Sequence, residues 1–216
     1  MVLVIGGMIG LGKTTMAELL ADHFQTEVFY ESVEDNKILP LFYTASEDEI
    51  LEKRYPFLLQ LWFLDTRFKA IKKALVDENN VLDRSIYEDW YFARKNLELG
   101  RISDLEMEVY ENLLSNMMDE LEELPKKAPD LMVYLKGSFE TVLDRIRKRG
   151  RDFEIDESLE QYYRFLWEGY DNWVQNHYDA SQVLIIDMDQ TDIVSNEDDK
   201  VRVIQQVEEK LKQFRS

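Results

Sequence analysis

One octapeptide near the start of the chain constrains the fold more than any other feature. It runs from Gly7 to Thr14 and fits the pattern GxxxxGK(S/T), with an apolar run before it at residues 2–5 and a helical pattern after it at residues 14–24. The backbone N–H groups of such a loop and the N-terminus of the helix that follows form a cradle for phosphate groups. The pattern therefore predicts a nucleoside triphosphate site within an α/β fold.

The residues expected to bind the nucleotide are those of the loop and of the first helical turn: Gly7, Met8, Ile9, Gly10, Leu11, Gly12, Lys13, Thr14 and Thr15. Within this set, Lys13 is expected to contact the β- and γ-phosphates of ATP. The Thr14 hydroxyl is the expected protein ligand for Mg²⁺, the cofactor that accompanies the triphosphate.

Short apolar runs alternate with longer helical patterns along the chain. The runs that predict buried strands are residues 2–5, 28–30, 81–83, 131–135 and 183–186, and the helical patterns are residues 14–24, 57–76, 105–123, 139–148, 159–176 and 200–214. Such alternation predicts a five-stranded parallel sheet flanked by helices. The 216 residues contain no linker-like segment, and because domains average about 150 residues, one domain spanning residues 1–216 is expected.

Composition excludes several functional classes. The net charge of -18 repels a nucleic acid polymer, and the absence of cysteine excludes disulfides, thiolate zinc sites and a cysteine nucleophile. The first ten residues resemble neither a signal peptide nor a membrane anchor, so a cytoplasmic protein without a membrane partner is expected. The acidic stretches at residues 119–123 and 197–199 are expected to be solvated surface.

Charged side chains follow the second and third predicted strands. Glu31 ends one of them, and Asp83, Arg84 and Ser85 end the other. Ligands of parallel sheets bind beyond the carboxyl ends of the strands, so these groups are expected near the transferring phosphate. Two carboxylates and a guanidinium there suit a kinase, although Asp83 and Arg84 alone could equally form a surface ion pair.

A second basic element covers residues 145–151, where five of seven residues are Lys or Arg. Cations in a last helical turn before a glycine are ordinary helix-end chemistry. In a chain so acidic, however, the cluster also suits an anion-facing lid at about residues 145–156, which is the interpretation we favour.

Taken in order, these segments resemble the deoxynucleoside kinase family, from residue 2 to about residue 194. The similarity is closest to the bacterial deoxyadenosine/deoxyguanosine kinases: residues 30–36 (YESVEDN) look like their ESVDDN or EPVEDN segment, residues 83–89 like their (D/E)RS segment, and residues 145–154 like their lid, RIxxRGRxxE. The resemblance implies a P-loop kinase fold with an Arg-rich lid. It also implies transfer of the γ-phosphate of ATP to the 5′-hydroxyl of a deoxynucleoside, in nucleotide salvage.

The resemblance implies roles at matching positions. Glu31 would accept the 5′-hydroxyl proton, Arg84 would hold both Glu31 and the phosphate oxygens, and Asp83 would help to place Mg²⁺.

For the lid, the resemblance implies that Arg145, Arg149 and Arg151 surround the phosphates and the donor base. Tyr43 and Glu154 would hold the sugar 3′-hydroxyl. The stretch from residue 44 to residue 55 is longer than the spacer usual in relatives, and Ser32 and Lys37 stand where many relatives have proline.

Base choice depends on three further residues. Gln60 is an amide within an apolar run, where an unpaired polar group would cost ~1–3 kcal/mol, so it should have a partner. Arg67 lies two helical turns along the same face, and Asp89 is its expected partner. In the family this set belongs to enzymes that accept purines and deoxycytidine, which favours deoxyadenosine or deoxyguanosine here, with deoxycytidine as a further acceptor. A plain buried Arg67–Asp89 ion pair is the alternative.

Two other functions compete with this one. A thymidylate-type nucleoside monophosphate kinase also has a phosphate loop and an Asp-Arg pair, but its signature places Arg where this chain has Tyr30. A nucleotide-dependent switch or binding module is less favoured, because no NKxD motif is present. The apolar content of residues 105–118 allows pairing, so a homodimer or a heterodimer with a related subunit is expected.

Overall fold

The computed structural model describes residues 1–31, 33, 35–76, 79–121 and 128–215. Its centre is a five-stranded sheet in the order β2-β3-β1-β4-β5, and every neighbouring pair is parallel. The strands are β1 (Val2–Gly7), β2 (Glu27–Phe29), β3 (Asn80–Asp83), β4 (Leu131–Lys136) and β5 (Gln182–Asp187). The predicted parallel sheet is therefore confirmed.

Helices cover both faces of the sheet. They are α1 (Lys13–Phe24), α2 (Ile38–Thr44), α3 (Glu47–Lys53), α4 (Tyr55–Ala74), α5 (Ile86–Glu98), α6 (Asp104–Leu121), α7 (Phe139–Arg149), α8 (Glu160–Asn176) and α9 (Glu197–Arg215), with 3₁₀ turns at Asp152–Glu154 and Glu157–Leu159. In the part of the chain that the structure describes, no helix is both long and apolar enough to span a bilayer.

The core lies around the two central strands, because β1 and β4 are apolar along nearly their whole length and are packed from both faces. β1 pairs with β3 so that Ile5 faces Asp83, and β3 pairs with β2 so that Leu82 faces Phe29. The carboxyl ends of the three strands therefore meet at one edge of the sheet. That register brings the residues after β1, β2 and β3 to a common site.

Six predicted helical patterns match α1, α4, α6, α7, α8 and α9 to within three residues at each described end. Three helices, α2, α3 and α5, were not predicted. Ser32 and Glu34 of the YESVEDN segment, and residues 122–123 of the first acidic stretch, lie outside the described residues.

The surface prediction is wrong at Asp199 and at Leu121, which is 3% exposed. Asp199 is 6% exposed, because its carboxylate accepts a hydrogen bond from Asp192 N–H at 2.8 Å and pairs with Arg202 at 2.7 Å. It belongs to the first turn of α9, where an acidic side chain can hold the preceding loop against the helix N-terminus. Glu197, Asp198, Asp119 and Glu120 are exposed, as expected.

Candidate active site

The phosphate loop connects β1 to α1 and is shaped by glycine. Gly10 and Gly12 both have positive φ, 86° and 87°, a region that residues with a Cβ rarely adopt. A Cβ on Gly10 would come within 2.9 Å of the Ile146 side chain on α7. The loop is therefore packed against α7 as well as turned toward its own helix.

Lys13 begins α1 and points back over the loop. Its Nζ donates a hydrogen bond to Met8 O at 3.0 Å, and the residue is 7% exposed. Burial and the neighbouring Arg84 charge lower the pKa of Lys13 to about 7. An anionic ligand in the loop would favour the protonated form, which suits Lys13 to its expected place at a triphosphate.

Thr14 and Asp83 lie together, as the sequence predicts for a cation site. The Thr14 hydroxyl donates to Asp83 Oδ2 at 2.6 Å, while Asp83 Oδ1 is buried and has no hydrogen-bond partner within the described chain. Burial and the charge of Glu31 raise the pKa of Asp83 above its ordinary value. A cation beside the free oxygen would offset both effects.

The donor set fits Mg²⁺, which takes oxygen ligands and usually binds through one or two carboxylates plus substrate phosphates and water. Among the described residues, no three acidic or histidine side chains converge as a cation site made by protein alone. Thr14 and Asp83 are thus suited to a cation held mainly by its ligand's phosphates.

Glu31 follows β2 and is held by two guanidinium groups. Arg67 Nη2 donates to Glu31 Oε1 at 2.9 Å, and Arg84 Nε lies 3.0 Å from the same oxygen. Burial alone would raise the pKa of Glu31, but Arg84, Arg67 and Lys13 outweigh it and lower the pKa to about 2. Glu31 is therefore an ionised, oriented carboxylate, and its Oε2 takes part in neither arginine contact.

Arg84 occupies an uncommon backbone conformation directly after β3. Its φ is +80°, which costs a non-glycine residue on the order of 1–3 kcal/mol and is often found at functional sites. Its N–H continues the ladder to Ile5 O at 2.9 Å. The guanidinium packs over the Phe92 ring with Cζ 4.8 Å from the centroid, so the side chain is fixed toward Glu31.

The expected partnership of Arg67 and Asp89 is present and bidentate, with Nε donating to Oδ2 at 2.9 Å and Nη2 to Oδ1 at 3.2 Å. Arg67 also donates to the backbone carbonyl of Asp83 at 2.9 Å. Arg67 is absent from the described cavity wall, whereas Asp89 is part of it. One guanidinium therefore joins Asp89 to Glu31 from behind the wall.

A cavity opens beside Glu31. Its described lining comprises Ile9, Lys13, Glu31, Val33, Leu39, Phe42, Tyr43, Leu59, Gln60, Phe63, Arg84, Asp89, Phe92, Arg149, Arg151, Glu154 and Tyr162. An apolar cavity with a few convergent polar groups is typical of a small-molecule site. Gln60 Oε1 is buried and finds no hydrogen-bond partner among the described residues, so the partner expected for Gln60 is left for a ligand to supply.

The lid residues converge on a buried carboxylate. Arg149 Nη2 donates to Glu154 Oε2, Arg151 Nη1 donates to Glu154 Oε1 at 3.3 Å, and Glu154 is 3% exposed. Tyr43 stacks on Phe153 with ring centroids 6.0 Å apart. Tyr43 and Glu154 thus line one cavity, despite the long stretch that follows Tyr43.

Arg145 lies apart from the other lid arginines. Its guanidinium donates to Leu11 O at 2.8 Å and to Met188 O at 3.1 Å, so it braces the phosphate loop against the segment after β5. It lines a further groove together with Arg149, Gly10, Gly12 and residues 188–195. The structure therefore brings Arg145 to the loop's outer side, where a donor base could lie.

Sequence reasoning missed two parts of this site. The apolar walls come from side chains on several elements, such as Leu39, Phe42 and Phe92, and apolar residues carry no motif. Glu88 was also missed, although the spacing Ser85-x-x-Glu88 is a capping-box signal. That capping box is present at the start of α5.

The chain is similar to known proteins along nearly its whole length. Residues 3–212 match the family model described as deoxynucleoside kinase. A deoxyguanosine kinase of Lactobacillus johnsonii is 46% identical over 99% of this chain and 93% of its own length, and a deoxyadenosine kinase of Lactobacillus acidophilus is 40% identical over 99% and 97%. A solved structure of deoxyadenosine kinase from M. mycoides with bound dCTP has a TM-score of 0.79 at 26% identity, covering 97% of this chain and 100% of that one.

Proposed function

The chain belongs to the deoxynucleoside kinase family, and we propose how its described residues carry out the reaction. It is a purine deoxynucleoside kinase that transfers the γ-phosphoryl group of ATP to the 5′-hydroxyl of its acceptor. The observation that carries this function is the position of Glu31, which two arginines hold between a phosphate loop and a cavity lined by apolar and polar side chains.

On the donor side, the loop amides and Lys13 receive the ATP phosphates, and Arg149 and Arg151 approach from the lid. Both lid arginines line the groove that also contains Lys13, Thr14 and Asp83. Thr14 and Asp83 would hold Mg²⁺, which when bound neutralises part of the phosphate charge. The free Oδ1 of Asp83 supports this assignment.

On the acceptor side, the 5′-hydroxyl is placed against Glu31. As its oxygen bonds to the γ-phosphorus and the bond to the ADP oxygen breaks, the hydroxyl proton passes to the carboxylate. Arg84 lies beside the same carboxylate at 3.0 Å and offsets negative charge on the phosphoryl oxygens.

The low pKa of Glu31 defines how that carboxylate acts. A base with a pKa of about 2 is weak for removing a proton early, because general bases work best with a pKa near the operating pH. Phosphoryl transfer has a loose transition state in which positioning and charge stabilisation dominate. Glu31 therefore mainly orients the hydroxyl, and it accepts the proton late, when the hydroxyl has become more acidic.

The sugar and base are held by the rest of the cavity. All four side chains line the cavity; Tyr43 and Glu154 would bind the 3′-hydroxyl, and Gln60 and Asp89 would bind the base. Gln60 Oε1 and the Asp89 carboxylate are acceptors, which complement the N–H donors on a purine edge. Guanine offers such donors at N1 and N2, so deoxyguanosine is the first acceptor we propose, followed by deoxyadenosine and deoxycytidine.

An acceptor panel tests this function. ADP release from ATP would be measured with deoxyguanosine, deoxyadenosine, deoxycytidine, thymidine monophosphate or no acceptor. Turnover is expected only with the unphosphorylated deoxynucleosides. Turnover with thymidine monophosphate would indicate a monophosphate kinase, and equal rates without acceptor would indicate a nucleotide-dependent switch.

We also propose a homodimer formed through α6, with a heterodimer containing a related subunit as the alternative. Leu105, Val109 and Leu113 are 70%, 43% and 39% exposed, and they recur at every fourth residue of this helix. A cytoplasmic location suits a chain that lacks cysteine and consumes ATP.

A further inference from the structure

Glu88 is a fully buried carboxylate that the proposed reaction does not use. It is 0% exposed, and several donors converge on it. Gly7 N–H donates to Oε1 at 3.0 Å, Ser85 N–H to Oε2 at 2.8 Å and the Ser85 hydroxyl to Oε2 at 3.1 Å. Arg84 Nη1 lies 3.3 Å from Oε1, and the Tyr170 hydroxyl donates to the same oxygen.

The contact with Gly7 occurs where the sheet loses a strand. On the β3 side of β1, Ile5 O is paired with Arg84 N, and Gly7, two residues further on, turns its N–H to the same side. β3 ends at Asp83, so no strand remains there to accept this bond. Glu88 Oε1 takes the place of the missing strand at the first residue of the phosphate loop.

The contact with Arg84 places that guanidinium between two carboxylates. Nε faces Glu31 at 3.0 Å, and Nη1 faces Glu88 at 3.3 Å. Because the backbone of Arg84 is already at a positive φ, its local conformation depends on surrounding contacts. Glu88 therefore fixes the end of the side chain that Glu31 does not.

The contact with Tyr170 extends the connection to the lid. Tyr170 lies on α8, and Tyr163, seven residues earlier on the same face, donates its hydroxyl to Glu154 O at 3.0 Å. One helix thus joins the backbone of the lid residue Glu154 to the Glu88 carboxylate. The phosphate loop, the Arg84 segment and α8 meet at this single side chain.

We propose that Glu88 is a positioning residue that holds the phosphate loop and Arg84 in register, so that donor and acceptor align. The proposal rests on the proposed kinase function. In this proposal Glu88 acts through Gly7 and Arg84 and itself contacts neither substrate.

The test is Glu88→Gln, which keeps the size of the side chain but places an NH₂ group among donors. We expect kcat with ATP and deoxyguanosine to fall by roughly 10- to 100-fold, because a misplacement of about 1 Å can cost that much. KM for the nucleoside should stay within about twofold. Binding of MgATP, measured by calorimetry without acceptor, should weaken by about threefold or more, since the loop is displaced.

Glu106→Gln is a matched control. Glu106 also accepts from a capping serine, Ser103, and from an arginine, Arg54, but these residues do not line the cavity. It should lower the melting temperature while leaving kcat and MgATP affinity unchanged. Equal kinetic losses in the two variants, or unaltered kcat in Glu88→Gln, would overturn the proposal.

If Glu88→Gln does not fold, Tyr170→Phe decides the question, since it removes one hydroxyl from the same carboxylate. A fall in kcat of about threefold or more supports positioning, and wild-type kinetics contradict it. If the wild-type protein phosphorylates no acceptor, the kinase function fails. The affinity for MgATP then becomes the only test of the role of Glu88. An unchanged affinity in both Glu88→Gln and Tyr170→Phe would contradict the proposal.

Discussion

Glu31 is a strongly paired carboxylate that we propose still serves the transfer of a proton. Glu31→Gln keeps the shape but removes the charge that, in this proposal, orients the hydroxyl and accepts its proton. We expect kcat to fall by ~10²–10⁴, with nucleotide binding nearly intact. Steady-state kinetics and ATP titration would measure the two effects, and a variant with unaltered kcat would remove Glu31 from the reaction.

Lys13 predicts a pH dependence of nucleotide binding. With a pKa of about 7 in the free protein, Lys13 is largely neutral at pH 8, and the bound phosphates should protonate it. MgATP binding should therefore take up close to one proton at pH 8 and little at pH 6, and affinity should fall as pH rises above about 7.

Calorimetry in two buffers of different ionisation enthalpy at pH 8 measures this uptake. Lys13→Arg is the control, because arginine stays protonated throughout and should abolish the uptake. Binding without proton uptake in the wild-type protein would contradict the prediction.

At the scale of residues, the sequence predicts which side chains need a polar partner better than it predicts all the contacts that each side chain makes. Gln60 stands out in the sequence because an amide in an apolar run needs a hydrogen-bond partner. In the structure, its Oε1 is buried and has no such partner among the described residues. The spacing of Arg67 from Gln60 identifies a shared helix face. The spacing does not reveal that the Arg67 side chain contacts Glu31, which follows β2. That contact depends on how α4 packs against the sheet.

At the scale of elements, α7 delivers cations to the lid through its last turn. Arg149 lines both proposed substrate cavities. The Arg147 side chain, on the same helix, is 61% exposed and makes a long ion pair with Asp144 at 3.9 Å. Arg149→Ala should lower kcat/KM by roughly 10²-fold, since arginines at a transferring phosphoryl group contribute at least that much.

Arg147→Ala provides the comparison for this prediction and should stay within about twofold of the wild type. Both variants would be compared in the same ADP-release assay. Similar losses in both would mean that the general positive charge of α7 matters, and not the placement of Arg149.

The helices that were missed are short or lack a clean apolar period. α2 and α3 have seven residues each, too few for a periodic pattern, and α3 lies in the long stretch after Tyr43. α5 begins with a capping box and buries polar side chains, including Glu88, Asp89 and Asn96. Those polar residues interrupt the hydrophobic pattern. Asp89 lines the cavity, and Glu88 contacts the first residue of the phosphate loop.

At the scale of the whole molecule, the net charge is -18. At the site, positive side chains are paired with negative ones and do not outnumber them. The two buried arginines there, Arg67 and Arg84, are balanced by carboxylates in direct contact with them. The chain's composition implies that an anion must meet local cations. It could not show that the cations would already be paired, because pairing depends on register at the sheet edge.

The apolar stripe on α6 predicts assembly. Exposed apolar side chains that form a patch usually mark a contact surface, so Leu105→Lys combined with Val109→Lys should shift the protein from dimer to monomer. Sedimentation velocity measures the change. Val201→Lys is the control, because Val201 is also exposed, at 51%, but lies on α9. A wild-type monomer would contradict the assignment.

Five residues, Lys13, Glu31, Val33, Arg149 and Arg151, belong to the walls of both the nucleoside cavity and the phosphate groove. The two compartments are thus adjacent and share these parts of their walls. A single compound in which an oligophosphate tether connects a purine deoxynucleoside to adenosine could thread through both. Such a hybrid would lose its freedom of motion once and not twice, and for that reason it should inhibit more tightly than either half alone.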